Sequence, residues 1–180
     1  MNSFCSRANK CLDFLTNVML TLAFGCYITT VLIDTSVPVD IRVTKVMLRK
    51  VHSVTRFGEP CDMVYITFDL SANFQPAFNW NVLQLYIFVF AEYATPKNAL
   101  NQVMLWDKTV YRGKDTLYLR DQKSKYFFCD DGNGLRGHEN ITLTLSWNII
   151  PVAGSLAIVL GDGYTSLPFP KTYETPTSYL

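Results

Sequence analysis

Residues Asp130 to Trp147 read DDGNGLRGHENITLTLSW and bring together two adjacent acids, three glycines, a histidine and a glycosylation sequon. Such a stretch could hold a cation, carry catalysis or accept a sugar. An EF-hand-type calcium loop needs oxygen ligands at positions 1, 3 and 5, glycine at 6 and glutamate at 12. Counting from Asp131 puts Asn133 third, but Leu135 fifth and Arg136 sixth; counting from Asp130 puts Gly132 third. Neither frame works. A glycine-rich hairpin connection, with Asn133-Gly134 suited to positive φ, is the better reading.

Catalysis fares little better. A nucleophile needs a base within reach, and the only imidazoles are His52 and His138, neither set in a motif. There is no G-x-S-x-G elbow, and the serines of SLPFP and SVTRF have no special context. Both histidines read as surface residues. The five cysteines, Cys5, Cys11, Cys26, Cys61 and Cys129, show no C-x-x-C spacing, so no zinc site is indicated. Cys61 and Cys129 could pair in an oxidising compartment, but two free thiols are the favoured expectation. The expected site inventory is therefore no catalytic residue, no cofactor and no metal.

The sugar address is the strongest of the three. Asn140-Ile141-Thr142 is the only N-x-[ST] triplet in the chain, at the point where the glycine-rich loop becomes a strand. Period-two geometry puts Asn140 on the face of Thr142, Thr144, Ser146 and Asn148, opposite Ile141, Leu143, Leu145 and Trp147. That polar face is expected to meet water, where a glycan on Asn140 would fit.

The elements that position these residues begin with LDFLTNVMLTLAFGCYITTVLI, Leu12 to Ile33, in which Asp13 is the only charge. The uncharged run from Phe14 to Ile33 spans about 30 Å as a helix, the thickness of a bilayer's hydrocarbon core. A cleaved signal peptide is the rival reading, with Ala23-Phe24-Gly25 as its cleavage motif. Cleavage there would leave a mature chain starting CYITTVLI, so an uncleaved signal-anchor is expected. The resulting division is 1–11 as a short cytosolic N-terminus, 12–33 as the transmembrane anchor and 34–180 as one folded domain. Flanking charges leave orientation open: Arg7 and Lys10 precede the span, while Arg42, Lys45, Arg49 and Lys50 follow it. Use of the sequon resolves it, because N-glycans are added only on the lumenal side of the secretory membrane.

Beyond the anchor the pattern is strand-like. MVYITFDL sets Val64, Ile66, Phe68 and Leu70 against Tyr65, Thr67 and Asp69, and ITLTLSW alternates in the same way. Further strands are expected at 41–48, 81–93, 101–111, 115–121, 124–130 and 155–160, separated by Pro, Gly and Asn. No later segment sustains a 3.6-residue period. The class is all-β: an antiparallel β-sandwich preceded by a single N-terminal transmembrane helix. NVLQLYIFVFAEY, apolar on both faces, belongs at the centre of a sheet.

Composition agrees. The 180 residues are 49% hydrophobic, enough for one core. Sixteen basic residues face fifteen acidic ones, and no like-charge run reaches five, so nucleic acid is not an expected partner.

Many words of the chain together resemble subunit 3 of the eukaryotic signal peptidase complex. They are SRAN at 6–9, FGC at 24–26, SVPV at 36–39, ITFDL at 66–70, NWNV at 79–82, AEY at 91–93, NALNQVMLWDK at 98–108, KYFFCDDGNGL at 125–135, NITLTLSWN at 140–148 and PFPKTYE at 168–174. The resemblance implies a single-span type II protein of the endoplasmic reticulum membrane with a lumenal β-sandwich. It further implies an accessory role, in which the chain stabilises and positions the catalytic subunit and the catalytic residues lie in that other subunit. The implied partners are the catalytic and other accessory subunits, with no small-molecule ligand, and Asn140 matches the family's glycosylation position. Two alternatives are a membrane-anchored or secreted sandwich acting as a recognition module unrelated to a peptidase, and a hydrolase with a cryptic site.

Overall fold

A computed structural model describes residues 3–31, 33, 35–52, 60–95, 98–126, 128–130, 134–137 and 140–174. Helix α1 runs over Phe4–Val31. It starts ahead of Leu12, because nothing from Phe4 to Cys11 breaks a helix and the Ser3 hydroxyl accepts the Ser6 N–H at the first turn. It is long and apolar enough to cross a membrane, and none of its most apolar window is buried against the protein.

Among the described residues eight strands follow: β1 Val39–His52, β2 Pro60–Asn73, β3 Val82–Tyr93, β4 Asn101–Tyr111, β5 Thr116–Lys123, β6 Phe128–Cys129, β7 Ile141–Pro151 and β8 Ala157–Leu167. They form two antiparallel sheets. One has the order β1-β2-β5, with β6 also paired to β2; the other is β4-β3-β7-β8. β3 lies between two neighbours, as its two-faced apolar sequence requires.

The inner faces meet as the alternation predicts. Val64, Ile66, Phe68 and Leu70 of β2 and Ile141, Leu143, Leu145 and Trp147 of β7 are all buried. Edge-to-face aromatic pairs cross the core, Phe68 with Trp106 at 6.2 Å and Phe74 with Trp147 at 5.2 Å.

β1 and β8 close one side of the sandwich. The Asp162 N–H donates to the Val37 carbonyl at 3.1 Å, and the Thr165 hydroxyl donates to the Ile41 carbonyl. Two glycines permit this crossing. A Cβ on Gly161 would lie 2.7 Å from the Val39 Cγ2, and Gly163, at φ +151°, has the Val39 carbonyl where its Cβ would be. β8 therefore runs past the expected end at Leu160, through both glycines, to Leu167.

Two expectations are corrected. Of the strand expected over 124–130, only Phe128–Cys129 pairs as one among the described residues. Ser124 donates its N–H to Ile66 on β2, while Tyr126 donates to Leu105 on β4, so the chain here crosses from one sheet to the other. The outer face of β7 is the second correction: Thr144 and Ser146, expected in water, are buried. Large side chains on the flanking strands, Phe88 and Phe90 on one side and Leu160 and Tyr164 on the other, sit opposite these small ones and roof them over.

Candidate interaction surface

The opening loop is built as structure. The Asp62 carboxylate accepts from the Leu135 N–H at 2.8 Å and from the Tyr173 hydroxyl at 3.0 Å. Asp130 accepts from the Asp62 N–H at 2.8 Å and from the Gly134 N–H at 2.6 Å. Two buried acids thus serve as acceptors for backbone donors, which is the pairing a buried carboxylate requires. Gly134 takes the expected positive φ, at +80°, but the connection is not a hairpin, because it leads from β6 in one sheet to β7 in the other. Burial, followed by the Asp62 hydrogen bond, raises the Tyr173 phenol above its ordinary value, so it remains a donor. Among the described residues no group of three metal-ligating side chains gathers.

The other sequence candidates are scattered. His52 ends β1, opposite Pro60 and exposed, while His138 lies outside the described residues. Cys61 and Cys129 are not joined by a disulfide. The ladder explains this, since Cys129 faces Met63 and Cys61 lies two residues further along β2. That diagonal is roughly 8 Å, beyond the ~7 Å that a disulfide tolerates. Asn140 is exposed immediately before β7. Since β7 runs from Ile141 to Pro151 over eleven residues, Asn140 lies about 35 Å from the β7–β8 turn.

What periodicity did not reveal is the outer face of the β4-β3-β7-β8 sheet. Phe88, Phe90 and Met104 form one bank of a groove of about 520 Å³, and Ile158 and Leu160 form the other, with Ser146 between them. Ile158 and Leu160 are 74% and 60% exposed, and Tyr164 nearby is 72% exposed. Tyr86, Phe88 and Phe90 stack along β3 at 5.9 and 6.1 Å. A polar rim flanks them. Gln102 hydrogen-bonds Glu92, and Asp107 accepts from Lys125 at 3.1 Å and from the Tyr126 hydroxyl at 3.0 Å. Burial alone would raise the Asp107 carboxyl. The hydrogen bonds from Lys125 and Tyr126, the Lys125 charge and a bond from Tyr86 outweigh it and hold the carboxyl below its usual range. An apolar stripe inside a polar rim has the anatomy of a protein interface. The signal was present in the sequence, in aromatics at alternate positions on β3 and in AIVL at a sheet edge.

Comparison with known proteins supplies the setting. The family model described as "Signal peptidase subunit" matches residues 1–172. The chain is 54% identical to "Signal peptidase complex subunit 3" of Gallus gallus and 53% identical to that of Homo sapiens. Each match covers 99% of this chain and 100% of the relative. It is also 49% identical, over the same shares, to "Adipocyte-related X-chromosome expressed sequence 1" of Mus musculus. The chain belongs to the signal peptidase subunit family.

Proposed function

We propose that the protein is a non-catalytic accessory subunit of the signal peptidase complex, stabilising and positioning the catalytic subunit that removes signal peptides from nascent secretory proteins. The observation that carries this reading is the match of nearly the whole chain, anchor and sandwich together, to relatives bearing that name. α1 is the signal-anchor in the endoplasmic reticulum membrane, with the N-terminus cytosolic and the sandwich lumenal. Asn140 carries an N-glycan at the end of the sandwich remote from α1.

The groove between Phe88, Phe90 and Leu160 takes the lumenal surface of the catalytic subunit. Its exposed apolar side chains suit a standing interface, and subunit status calls for one. The peptidase chemistry belongs to that partner.

The test is affinity capture from mild-detergent microsomes. Wild type should bring down the catalytic subunit, and a Phe88→Glu/Leu160→Glu variant with an unchanged melting temperature should not. Equal capture by both would reject the groove, and no capture by either would reject the accessory reading.

A further inference from the structure

The strands place α1 and five segments at one end of the sandwich. These are the start of β1, the 74–81 connection into β3, the β4–β5 turn, the end of β7 and the start of β8. Two of these connections, 74–81 and 152–156, contain no charged residue, and neither do the strand residues next to them, 82–84 and 157–159. At the opposite end, the described residues between β6 and β7 include the charged Asp130 and Arg136. The uncharged loops also expose large apolar side chains. Val152 and Leu156 on the β7–β8 turn are 72% and 65% exposed, and Trp80 and Leu83 beside it are 59% and 57% exposed.

The turn touches α1 at Tyr27, about one turn before the helix ends at Val31. Gly154 lies so close to the Tyr27 ring that a Cβ there would stand 3.0 Å from Cδ2. The Asn81 side chain donates to the Thr30 hydroxyl at 3.3 Å. Tyr27 is six residues inside the uncharged run that closes at Ile33. If hydrocarbon covers that run, Tyr27 is about 9 Å below its edge. If the edge falls at Tyr27 itself, the turn lies on the boundary. Either placement brings residues 152–156 to the headgroups or deeper.

Backbone entering lipid must have its polar groups satisfied within the protein. Asn81, only 2% exposed, does this for the turn. Its amide donates to the Ala153 carbonyl at 2.7 Å, its side-chain oxygen accepts the Ala153 N–H at 3.0 Å, and its own carbonyl accepts the Val152 N–H at 2.7 Å. Arg112, from the neighbouring β4–β5 turn, donates to the carbonyls of Asn79 and Val82 and so fixes the Trp80 loop. With Lys114, and beside Asp115, it sets cations on the β4–β5 turn at this end of the sandwich, where the phosphates of a lipid surface would suit them.

We infer that the β7–β8 turn and the Trp80 loop are a membrane wedge: Val152, Leu156, Trp80 and Leu83 insert into the leaflet facing the sandwich and dock the domain on lipid. The inference rests on α1 as a membrane span, and its ligand is a phospholipid surface.

Tryptophan fluorescence of the full chain in phosphatidylcholine vesicles tests it. Trp106 and Trp147 are buried, so Trp80 is the tryptophan that lipid can reach. Lipids brominated near the headgroup end of the acyl chain should quench wild type, and aqueous iodide should not. Trp80→Phe should abolish the quenching, and Val152→Trp or Leu156→Trp in that background should restore it. The unchanged emission of Trp106 and Trp147 reports folding in each variant. Iodide quenching of Trp80 and of Trp at 152, without bromolipid quenching, overturns the wedge; this is also the result if a partner subunit normally covers these loops. Alkaline carbonate extraction is run in parallel. A chain that stays in the pellet keeps the span and isolates any failure to the wedge, whereas release into the supernatant removes the span and the wedge together.

Discussion

Trp147→Ala removes the largest fully buried side chain of the sandwich. The indole packs edge-on against Phe74 at 5.2 Å, and Gly161 lies so close that a Cβ there would be 3.1 Å from Cζ3. Sheet backbone and a glycine line the site, so little can collapse into the space, and truncation of such an aromatic costs about 3–5 kcal/mol. One feature lowers the figure. The indole N–H is buried with no partner among the described residues, so its removal relieves a desolvation cost of about 1–3 kcal/mol. We expect a net loss of about 2 kcal/mol, which for a domain of this size lowers Tm by roughly 6 °C. Circular dichroism melts of the full chain in detergent read this directly. Trp147→Phe keeps the ring and loses the orphan donor, so it should fall by less than half as much. Trp80→Ala, at an exposed position, should stay within about 0.5 kcal/mol of wild type. A Trp147→Ala melt within about 2 °C of wild type would show that β7 presents the opposite face to the core.

Gly163→Ala should destabilise the sandwich by more than the ~1–3 kcal/mol of a strained φ alone, because the new methyl meets the Val39 carbonyl; a wild-type melting temperature would break the β1–β8 closure. Asn140→Gln should remove an endoglycosidase-sensitive mobility shift in cells, and a wild-type chain that never shifts would contradict glycosylation at this exposed residue. The Asp107 carboxyl is held below its usual value, so its contribution is present above about pH 4 and is lost as pH falls through the folded value. The stability gap between wild type and Asp107→Asn should therefore close on acidification, and a gap that widens would reverse the sign.

Alternation alone located β2 and β7 and their inward faces, because one side of each strand is continuously apolar. It also placed β3 centrally, since neither of its faces is polar enough for an edge. It failed where the neighbour across the sheet decides the outcome. Thr144 and Ser146 look solvent-facing along β7, yet Phe90 and Tyr164 flank the first and Phe88 and Leu160 the second, burying both. The groove beside them was therefore hidden, because it is assembled from four strands, β3 and β4 on one side and β7 and β8 on the other, with about forty residues between the two pairs at their nearest lining positions, Met104 and Ser146. Local pattern also stopped β8 at Leu160. The glycines that usually end a strand are here the residues that let β1 cross close by. The 124–130 segment has strand composition, but its hydrogen bonds lead to two different sheets.

The central claim is that this chain supports signal-peptide removal without performing it. The direct measurement is preprotein processing in cells depleted of the protein and then supplied with wild type or with His52→Ala/His138→Ala. The account predicts that depletion lowers the level of the catalytic subunit and leaves preproteins uncleaved, and that both forms restore the subunit and the cleavage. Rescue by wild type together with failure of the double-histidine variant, at equal expression and equal catalytic-subunit level, would place catalytic chemistry in this chain and contradict the account.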